Sequence, residues 1–337
     1  MQPPAARRAL AVLAAILLGC LAAPTAEATD VTVMVRNLYV GGDYVPTAVA
    51  PSEQFEEEAG KLWLQVEGSD IPARMRLVAD EIARARPLVV GLQEAALWAT
   101  GPKDGAATRA SNVRWNMLSI LLRELRRRGQ RYRVAVNQAD VDVEASTSLG
   151  FDARFRNSNV TLVRDGVRFR RRGARKFRSQ LVFPSPTLGP TATNRGFGSV
   201  DVTVDDVTFR VVNTHLEAYS ADIRADQARE LVQGPLRSRR PVVLVGDLNS
   251  QRTQPSPEGD AYDAVVGAGF VERRTPRFNC CFDGDLKTGK WDHNIDFVLS
   301  KPKLRLLGSY LTGNRRKTQS GLWASDHGGI VSRLRFP

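Results

Sequence analysis

Residues 242–249 read Val-Val-Leu-Val-Gly-Asp-Leu-Asn, in which four apolar residues and a glycine precede Asp247 and Asn249. A short, uninterrupted apolar run of this kind is typical of a strand that is buried on both faces of a sheet. Polar residues at the end of such a strand lie at the edge of the sheet, where binding and catalytic groups concentrate. The segment therefore predicts a buried strand that carries two polar side chains to a sheet edge.

Five further segments place a polar residue at or near one end of an apolar run. They supply Asn37, Glu94, His215, Asp296 and the pair Asp326-His327. Because the ends of neighbouring strands meet at one edge of a sheet, we expect these side chains to share one cleft. The chain contains three histidines, and two of them belong to this series, which argues against a chance distribution.

Helical periodicity alternates with these strands, which indicates a mixed α/β fold. Apolar residues spaced by three and four positions predict one helix over residues 72–86 and a second over residues 113–128. Residues 200–212 predict a hairpin, and the stretch 184–198, rich in proline and glycine, is typical of a loop. No repeat or long linker divides the chain, so we expect one domain over residues 29–337.

The residue types in the series suit one kind of chemistry. Carboxylates together with an amide oxygen are ligands that a hard cation such as Mg²⁺ prefers. A histidine beside an aspartate can act as a base whose tautomer the carboxylate fixes. Asparagine and histidine donors can stabilise the charge that develops on a phosphoryl group. Together they point to metal-assisted attack of water on phosphorus.

Five short motifs resemble those of the endonuclease/exonuclease/phosphatase superfamily and occur in the order typical of it. They are Leu92-Gln93-Glu94, Asn213-Thr214-His215-Leu216, Gly246-Asp247-Leu248-Asn249, Ile295-Asp296 and Ser325-Asp326-His327. Deoxyribonuclease I, exonuclease III, bacterial sphingomyelinases and inositol polyphosphate 5-phosphatases belong to this superfamily. The resemblance covers nearly all of the chain after residue 28. It implies a deoxyribonuclease I-like α/β fold, a four-layer sandwich of two packed mixed β-sheets flanked by helices.

The resemblance also implies a role for each residue of the series. The implied catalytic residues are His215, Asp247, Asn249, Asp296 and His327. The implied metal-site residues are Asn37, Glu94 and Asp326, for Mg²⁺ with Mn²⁺ or Ca²⁺ as alternatives. His327 would be the base or the phosphate-stabilising histidine, and Asp296 would be its carboxylate partner. Asn159 resembles a further active-site asparagine that contacts the substrate. The number of metal ions stays open.

The formal net charge of +12, from 48 basic against 36 acidic residues, favours an anionic partner. The ordinary balance of 42% hydrophobic and 25% charged residues excludes a disordered, collagen-like or coiled-coil protein. The basic stretch Arg164–Arg178 contains Arg170, Arg171 and Arg172. It predicts either a groove that follows a phosphate backbone or a solvated surface hairpin.

Residues 1–28 have the features of a secretory signal peptide. A short basic segment precedes an apolar run too short to span a bilayer, and Ala26-Glu27-Ala28 has the small-x-small form of a cleavage site. A lipid-anchored form attached through Cys20 is the alternative. We therefore expect a secreted monomer without a membrane span. Cleavage leaves the adjacent Cys280 and Cys281, which we expect to be buried without bonding each other.

These observations predict an exported, Mg²⁺-dependent phosphodiesterase that acts on nucleic acid. Two alternatives share this chemistry, a sphingomyelinase-like phospholipid phosphodiesterase and a phosphomonoesterase. A third, from another class, is a binding module on the same fold without catalysis, which should lack Glu94, Asp247 or His327. All three residues are present.

Overall fold

The computed structural model describes residues 28–274 and 278–337. The signal peptide predicted at residues 1–28, with the alternative at Cys20, lies outside these residues apart from Ala28. The helices are α1 Val45–Val49, α2 Phe55–Gly68, α3 Ile71–Ala85, α4 Met117–Arg127, α5 Ala221–Gln233 and α6 Asp260–Gly267. The strands are β1 Thr29–Asn37, β2 Val89–Gln93, β3 Leu97–Gly101, β4 Asn112–Asn116, β5 Tyr132–Ser146, β6 Asp152–Arg164, β7 Arg168–Lys176, β8 Val182–Ser185, β9 Gly189–Ala192, β10 Gly196–Val204, β11 Val207–His215, β12 Val242–Asp247, β13 Val271–Glu272, β14 Cys280–Phe282, β15 Gly289–His293, β16 Asp296–Lys301, β17 Arg305–Thr312 and β18 Gly329–Phe336.

The strands form two large mixed sheets of similar design. The first sheet has the order β17-β18-β1-β2-β6-β3-β4, with β5 also paired to β6. The second sheet has the order β13-β16-β12-β11-β10-β7. Each contains one parallel pair among antiparallel neighbours, β1 with β2 in the first sheet and β11 with β12 in the second. The carboxyl ends of these parallel pairs carry Asn37 and Glu94 in one sheet and His215 and Asp247 in the other.

The two sheets pack face to face, and helices cover the outer side of each. Side chains alternate along β1, so that Val31, Val33 and Val35 lie in the core between the sheets while Met34 faces the helices. The outer core of the first sheet includes residues from α2, α3 and α4, and that of the second sheet includes residues from α5 and α6. The result is four layers in the order helix, sheet, sheet, helix, which confirms the predicted fold.

Asn213 joins the two sheets where their backbones approach closely. This residue of β11 donates from Nδ2 to the carbonyl oxygens of Leu92 and Val160 in the first sheet, each at 3.1 Å. A Cβ atom at Gly91 would meet the side chain of Val245 in the second sheet at 2.5 Å, so a larger residue does not fit there. The sheets therefore keep a fixed relative position directly beneath the strand ends that carry the predicted site.

Several predicted elements are present in the structure. The helix predicted over residues 72–86 is α3, and the hairpin predicted over residues 200–212 is formed by β10 and β11. The loop predicted over residues 184–198 is wrong in part, because β8 and β9 form a short hairpin there. In that hairpin Pro184 lies opposite Pro190, which a two-stranded ribbon tolerates because each strand has an edge without a partner.

The helix predicted over residues 113–128 begins only at Met117, so the first part of that prediction is wrong. Residues 112–116 form β4, in which Trp115 lies opposite Trp98 of β3. Asn116 then caps α4, because its side chain accepts a hydrogen bond from the backbone of Ser119. Pairing with a neighbouring strand outweighs the helical spacing of the apolar residues in this segment.

Within residues 28–274 and 278–337, no helix combines the length and the apolar character that crossing a bilayer requires.

Candidate active site

The ends of β1 and β2 bring an amide and a carboxylate together. Asn37 is the last residue of β1, and Glu94 follows β2 in a left-handed backbone conformation, with a φ of 57°. Nδ2 of Asn37 donates to Oε1 of Glu94 at 3.1 Å, and the backbone N–H of Val40 donates to Oε2 at 2.9 Å. Both carboxylate oxygens of Glu94 are therefore held in place by donors from the first sheet and the loop after β1.

Asp247 lies at the end of β12 and connects this group to the second sheet. Its Oδ2 accepts from Nδ2 of Asn37 at 3.1 Å, and its Oδ1 accepts from the backbone of Asn249 at 2.9 Å. Burial and the nearby charge of Asp296 raise the pKa of Asp247 above its usual range. Asn37 thus positions carboxylates from both sheets, and Asp247 exchanges its proton closer to neutral pH than an ordinary aspartate does.

His327 and Asp296 form a buried pair beside Asp247. Nδ1 of His327 donates to Oδ2 of Asp296 at 2.7 Å, while Nε2 lies 3.8 Å from Oδ2 of Asp247 and 4.0 Å from Oδ1 of Asp326. Burial by itself lowers the pKa of His327, but the carboxylates of Asp296, Asp326 and Asp247 outweigh it and raise the pKa well above its usual value. The raised pKa therefore favours the imidazolium form of His327 at neutral pH.

His215 is held in the opposite state. It ends β11, and the guanidinium of Arg195 donates to its Nδ1 at 2.9 Å, while its Nε2 lies 3.4 Å from Oδ2 of Asp247. Burial, together with the positive charges of Arg195 and His327, lowers the pKa of His215 well below its usual value. Because Nδ1 accepts from Arg195, the single ring hydrogen lies on Nε2, next to Asp247.

One carboxylate thus lies between a neutral and a charged histidine. Environments that separate the pKa values of neighbouring groups assign acid and base roles to them. His327 can donate a proton, His215 can donate a hydrogen bond from Nε2, and Asp247 can accept a proton. A phosphoryl group bound at this point would meet two N–H donors and one proton acceptor, which is the set that ester hydrolysis needs.

The carboxylates at this edge suit a divalent cation. Burial and the nearby charge of Asp326 raise the pKa of Glu94, because neighbouring carboxylates repel each other. A hard cation bound by these oxygens would relieve the repulsion, and oxygen ligands are those that Mg²⁺ prefers. Asp247 and Asp296 offer further carboxylate oxygens that lie within 4.8 Å of each other. The donor set therefore fits the predicted metal.

Asn159 belongs to a buried network behind His215. Its Nδ2 donates to Oε1 of Gln138 at 2.7 Å and to Oδ1 of Asp140 at 3.1 Å. Asp140 in turn accepts from Arg195 at 3.5 Å, and Arg195 is the partner of His215. Burial raises the pKa of Asp140 to about 7, although the charge of Arg195 acts in the opposite direction. Oδ1 of Asn159 is buried and accepts no hydrogen bond from any described residue, so it is an available acceptor.

Two buried arginines that the sequence analysis missed support the loops of the site. Arg36 donates to the backbone oxygen of His327, and Arg74 donates to the backbone oxygen of Tyr39 at 2.7 Å. Arg195 and Asp140 were also missed, since nothing in the local sequence relates them to His215. Arg74 did have a signal, because it lies on the apolar stripe of α3 at the helical spacing of four residues.

The structure does not bring Arg170, Arg171 and Arg172 to the catalytic residues. All three lie in β7, the edge strand of the second sheet. Arg171 donates to the backbone oxygen of Ala135 at 2.7 Å. Arg170 and Arg172 line a depression on the other side of the strand, where Nε of Arg172 lies 3.7 Å from Asp201.

Cys280 of β14 contacts the site from another direction. Its Sγ lies 3.4 Å from Nε2 of His327, and a disulfide joins Cys280 to Cys281. The prediction that these cysteines stay unbonded is therefore wrong. A disulfide sulfur carries no hydrogen, so the N–H of the His327 imidazolium is the donor in this contact.

Residues 62–327, well over half of the chain, match the model of the Endonuclease/Exonuclease/phosphatase family. The chain belongs to the endonuclease/exonuclease/phosphatase family. Members of this family are generally hydrolases of phosphoesters, and they typically use divalent metal ions. The matched residues include every predicted catalytic residue, whereas Asn37 precedes them.

Solved structures from the same family are similar to this fold. The endonuclease/exonuclease/phosphatase from Beutenbergia cavernae DSM 12333 has a TM-score of 0.57 at 21% identity, over 91% of this chain and 72% of that chain. The family protein from Leptotrichia buccalis C-1013-b has a TM-score of 0.54 at 14% identity, over 91% and 100%. The Bacteroides vulgatus protein has a TM-score of 0.53 at 15% identity, over 92% and 100%. At these identities the similarity establishes the fold alone. No protein with a curated description matches the chain.

Proposed function

We propose that this family member is an exported, Mg²⁺-dependent phosphodiesterase that hydrolyses nucleic acid. The observation that carries the proposal is the position of Oδ2 of Asp247, 3.4 Å from the neutral His215 and 3.8 Å from the protonated His327. Ester hydrolysis needs one group that takes a proton from water and another that stabilises or protonates the leaving oxygen. These three side chains supply both within one buried cluster.

Each residue of the cluster has a defined task in this proposal. Asp247 orients the attacking water and accepts its proton. His327 holds its proton at Nε2, next to the phosphoryl oxygens, and Asp296 keeps the ring charged and oriented. His215 donates from Nε2. Asn249 uses one amide hydrogen on the backbone oxygen of Leu216 at 3.0 Å and keeps the other for a phosphate oxygen.

Glu94 and Asp326 would hold the metal ion. Asn37 and the backbone of Val40 orient the carboxylate of Glu94 for this task, and Ser325 donates to Oδ1 of Asp326 at 3.1 Å. The bound ion supplies Lewis-acid polarisation of a phosphoryl oxygen.

Several observations support the remaining parts of the proposal. The net charge of +12 favours a polyanionic substrate. The features of residues 1–28 support export. The presence of Glu94, Asp247 and His327 argues against a binding module without catalysis.

One observation favours a phospholipid as the second candidate substrate. A cavity of about 100 Å³ is lined mostly by apolar side chains, among them Tyr44 and Trp98. Its lining also includes Thr193, which donates to Glu217 at 2.9 Å, and Glu217 lies 3.9 Å from Arg195 beside the catalytic residues. An acyl chain would match such a lining, because apolar surface leaves water favourably.

The test uses the purified protein with Mg²⁺ in the presence and absence of a chelator. Plasmid DNA, RNA and sphingomyelin vesicles are assayed side by side, and Glu94→Ala is the control variant. We expect nicking of DNA that both the chelator and the substitution abolish. Release of phosphocholine without nicking would assign the protein to phospholipids, and inactivity on all three substrates would contradict the proposed function.

A further inference from the structure

A cluster of arginines surrounds a buried aspartate on the outer face of the second sheet. Asp201 of β10 lies directly between Arg170 of β7 and Arg210 of β11 in the strand register. It accepts from Nε of Arg210 at 2.9 Å and from Nη1 of Arg240 at 2.6 Å. We name this group the Asp201 cluster, and its members are Arg170, Arg172, Arg210, Arg237, Arg239, Arg240 and Asp201.

The cluster carries far more positive charge than its own acid can balance. Six guanidinium groups meet one carboxylate, and the group lines a depression of about 280 Å³. The side chains of Arg170, Arg237 and Arg239 are exposed and form no hydrogen bond or ion pair with any residue in the described part of the chain. In a network that only stabilised the fold, each guanidinium group would be paired with a carboxylate. The excess of guanidinium groups over carboxylates therefore points to an anionic ligand.

The cluster is separate from the catalytic residues but joined to them by one strand. Arg210 precedes His215 by five residues in β11, which corresponds to about 17 Å along an extended strand. The basic edge strand β7 extends alongside β10 and β11 over the same length. Its last residue, Lys176, pairs with Gly196, and Gly196 pairs with His215. Beyond Gly173 and Ala174, Arg175 and Lys176 therefore place two further cationic side chains of β7 nearer the catalytic end of the sheet.

We infer that the Asp201 cluster is a second anion-binding site that holds the sugar–phosphate backbone of the nucleic-acid substrate away from the cleavage point. The planar guanidinium group binds phosphate oxygens in pairs, and Arg210 and Arg240, fixed on Asp201, give the site a defined shape. A separation of about 17 Å corresponds to about five nucleotides along one strand of B-form DNA, at 3.4 Å each. The inference rests on the proposed function, because it assumes that the substrate is a polymer.

A nucleic acid fits the cluster better than an anionic membrane does. Binding at a membrane surface usually combines basic residues with apolar side chains that enter the lipid. None of the exposed large apolar side chains in the described part of the chain belongs to the cluster. A polymer can also extend along β7 from the Asp201 cluster to the catalytic residues. A flat membrane surface cannot enter the depression at the cluster and contact the catalytic residues at the same time.

The experiment measures binding separately from cleavage. The Glu94→Ala protein with chelator present prevents turnover, and fluorescence anisotropy gives the Kd for single-stranded DNA of 20 and of 4 nucleotides over a series of salt concentrations. The test variant adds Arg170→Gln, Arg237→Gln and Arg239→Gln. The control variant adds Arg114→Gln, Arg123→Gln and Arg126→Gln, which removes the same charge from exposed residues of β4 and α4. Thermal unfolding verifies that both variants are folded.

For the 20-nucleotide strand, we expect the test variant to bind about tenfold more weakly and the salt slope to fall by about 2, since each lost phosphate contact accounts for about 0.7. The control variant should change less. Because the 4-nucleotide strand is too short to contact both places at once, the two variants should differ less for it than for the 20-nucleotide strand. Equal slopes in the two variants, or an equal loss for the short strand, would overturn the inference. Loss of binding to vesicles of anionic lipid with DNA binding intact would also overturn it. Cleavage by the unsubstituted protein tests the proposed function alone.

Discussion

Nδ1 of His327 lies 2.7 Å from Oδ2 of Asp296, and both side chains are buried. The bond directs Nε2 of the ring towards Asp247 and fixes which nitrogen faces the substrate. Oδ1 of Asp296 accepts no hydrogen bond from any described residue. The imidazole of His327 is therefore the one side chain in the described part of the chain that donates a hydrogen bond to this carboxylate. Asp296 therefore orients His327, and among the three carboxylates that raise the pKa of His327 its charge has the largest effect.

Replacing His327 with alanine should lower kcat by about 10²–10⁴-fold, because it removes the proton donor at the candidate site. The fold should change little, since the ring packs at a strand end and outside the three large apolar cores. Steady-state kinetics on a phosphodiester and circular dichroism measure the two effects. His293→Ala is the matched control, because His293 is exposed and contacts Asp292. An unchanged kcat in the His327 variant would remove it from the mechanism.

Replacing Asp296 with asparagine should lower the pKa of His327, because the substitution removes the charge that stabilises the imidazolium. The pKa of His215 is already below its usual value and should stay there. Three histidines give three sets of ring signals, so titration followed by nuclear magnetic resonance in metal-free buffer can separate them. The inferred pairing is incorrect if the His327 signal titrates at the same pH in both proteins.

Mg²⁺ should raise the thermal stability of the protein, because a ligand that binds only the folded state stabilises it. At 100 times the Kd the gain in the free energy of unfolding is about 2.7 kcal/mol. Glu94→Gln should abolish most of this gain by removing a ligand, whereas Glu57→Gln, on the exposed side of α2, should keep it. Scanning calorimetry with and without Mg²⁺ makes the comparison, and an equal gain in all three proteins would place the ion elsewhere.

Asp140→Asn should flatten the pH dependence of stability. Burial raises the pKa of Asp140 to about 7, whereas the unfolded chain has a value near 4. As the pH rises from 4 to 7 the unfolded state loses this proton first, so the free energy of unfolding falls, at up to about 1.4 kcal/mol per pH unit. Urea unfolding at pH 5, 6 and 7 measures the slope. Asp165→Asn, at an exposed residue, is the control, and equal slopes for Asp140→Asn and the unsubstituted protein would contradict the expectation.

Arg74→Met should lower the free energy of unfolding by at least about 2 kcal/mol, because it leaves buried backbone oxygens without donors. The affected oxygens include those of Tyr39 and Ala324, in the two loops next to the metal-site residues. Turnover should fall as well, since those loops position the candidate site. Arg76→Met on the exposed side of the same helix is the control. Chemical denaturation compares the variants, and equal stability would show that the buried arginine has no structural role.

The strand ends of the site could be predicted because a strand buried on both faces leaves an uninterrupted apolar run, and a polar residue that ends it is conspicuous. This holds for Glu94, His215 and Asp247. The environment of each side chain could not be predicted, because it depends on which strands become neighbours. The contact of Arg195 with His215 joins the residue just before β10 to the last residue of the neighbouring β11, and no local pattern encodes it. The start of α4 was missed for the same reason, because residues 112–116, which precede the helix, pair with β3 as a strand.

The place of β18 in the first sheet has a consequence for biosynthesis. This strand, Gly329–Phe336, lies between β17 and β1, so β1 lacks one neighbour until β18 has been synthesised. The candidate catalytic residues are likewise spread from Asn37 to His327. A chain that has been synthesised only as far as β17 therefore cannot assemble the site. Any activity of the candidate site therefore appears only after β18 has joined the first sheet.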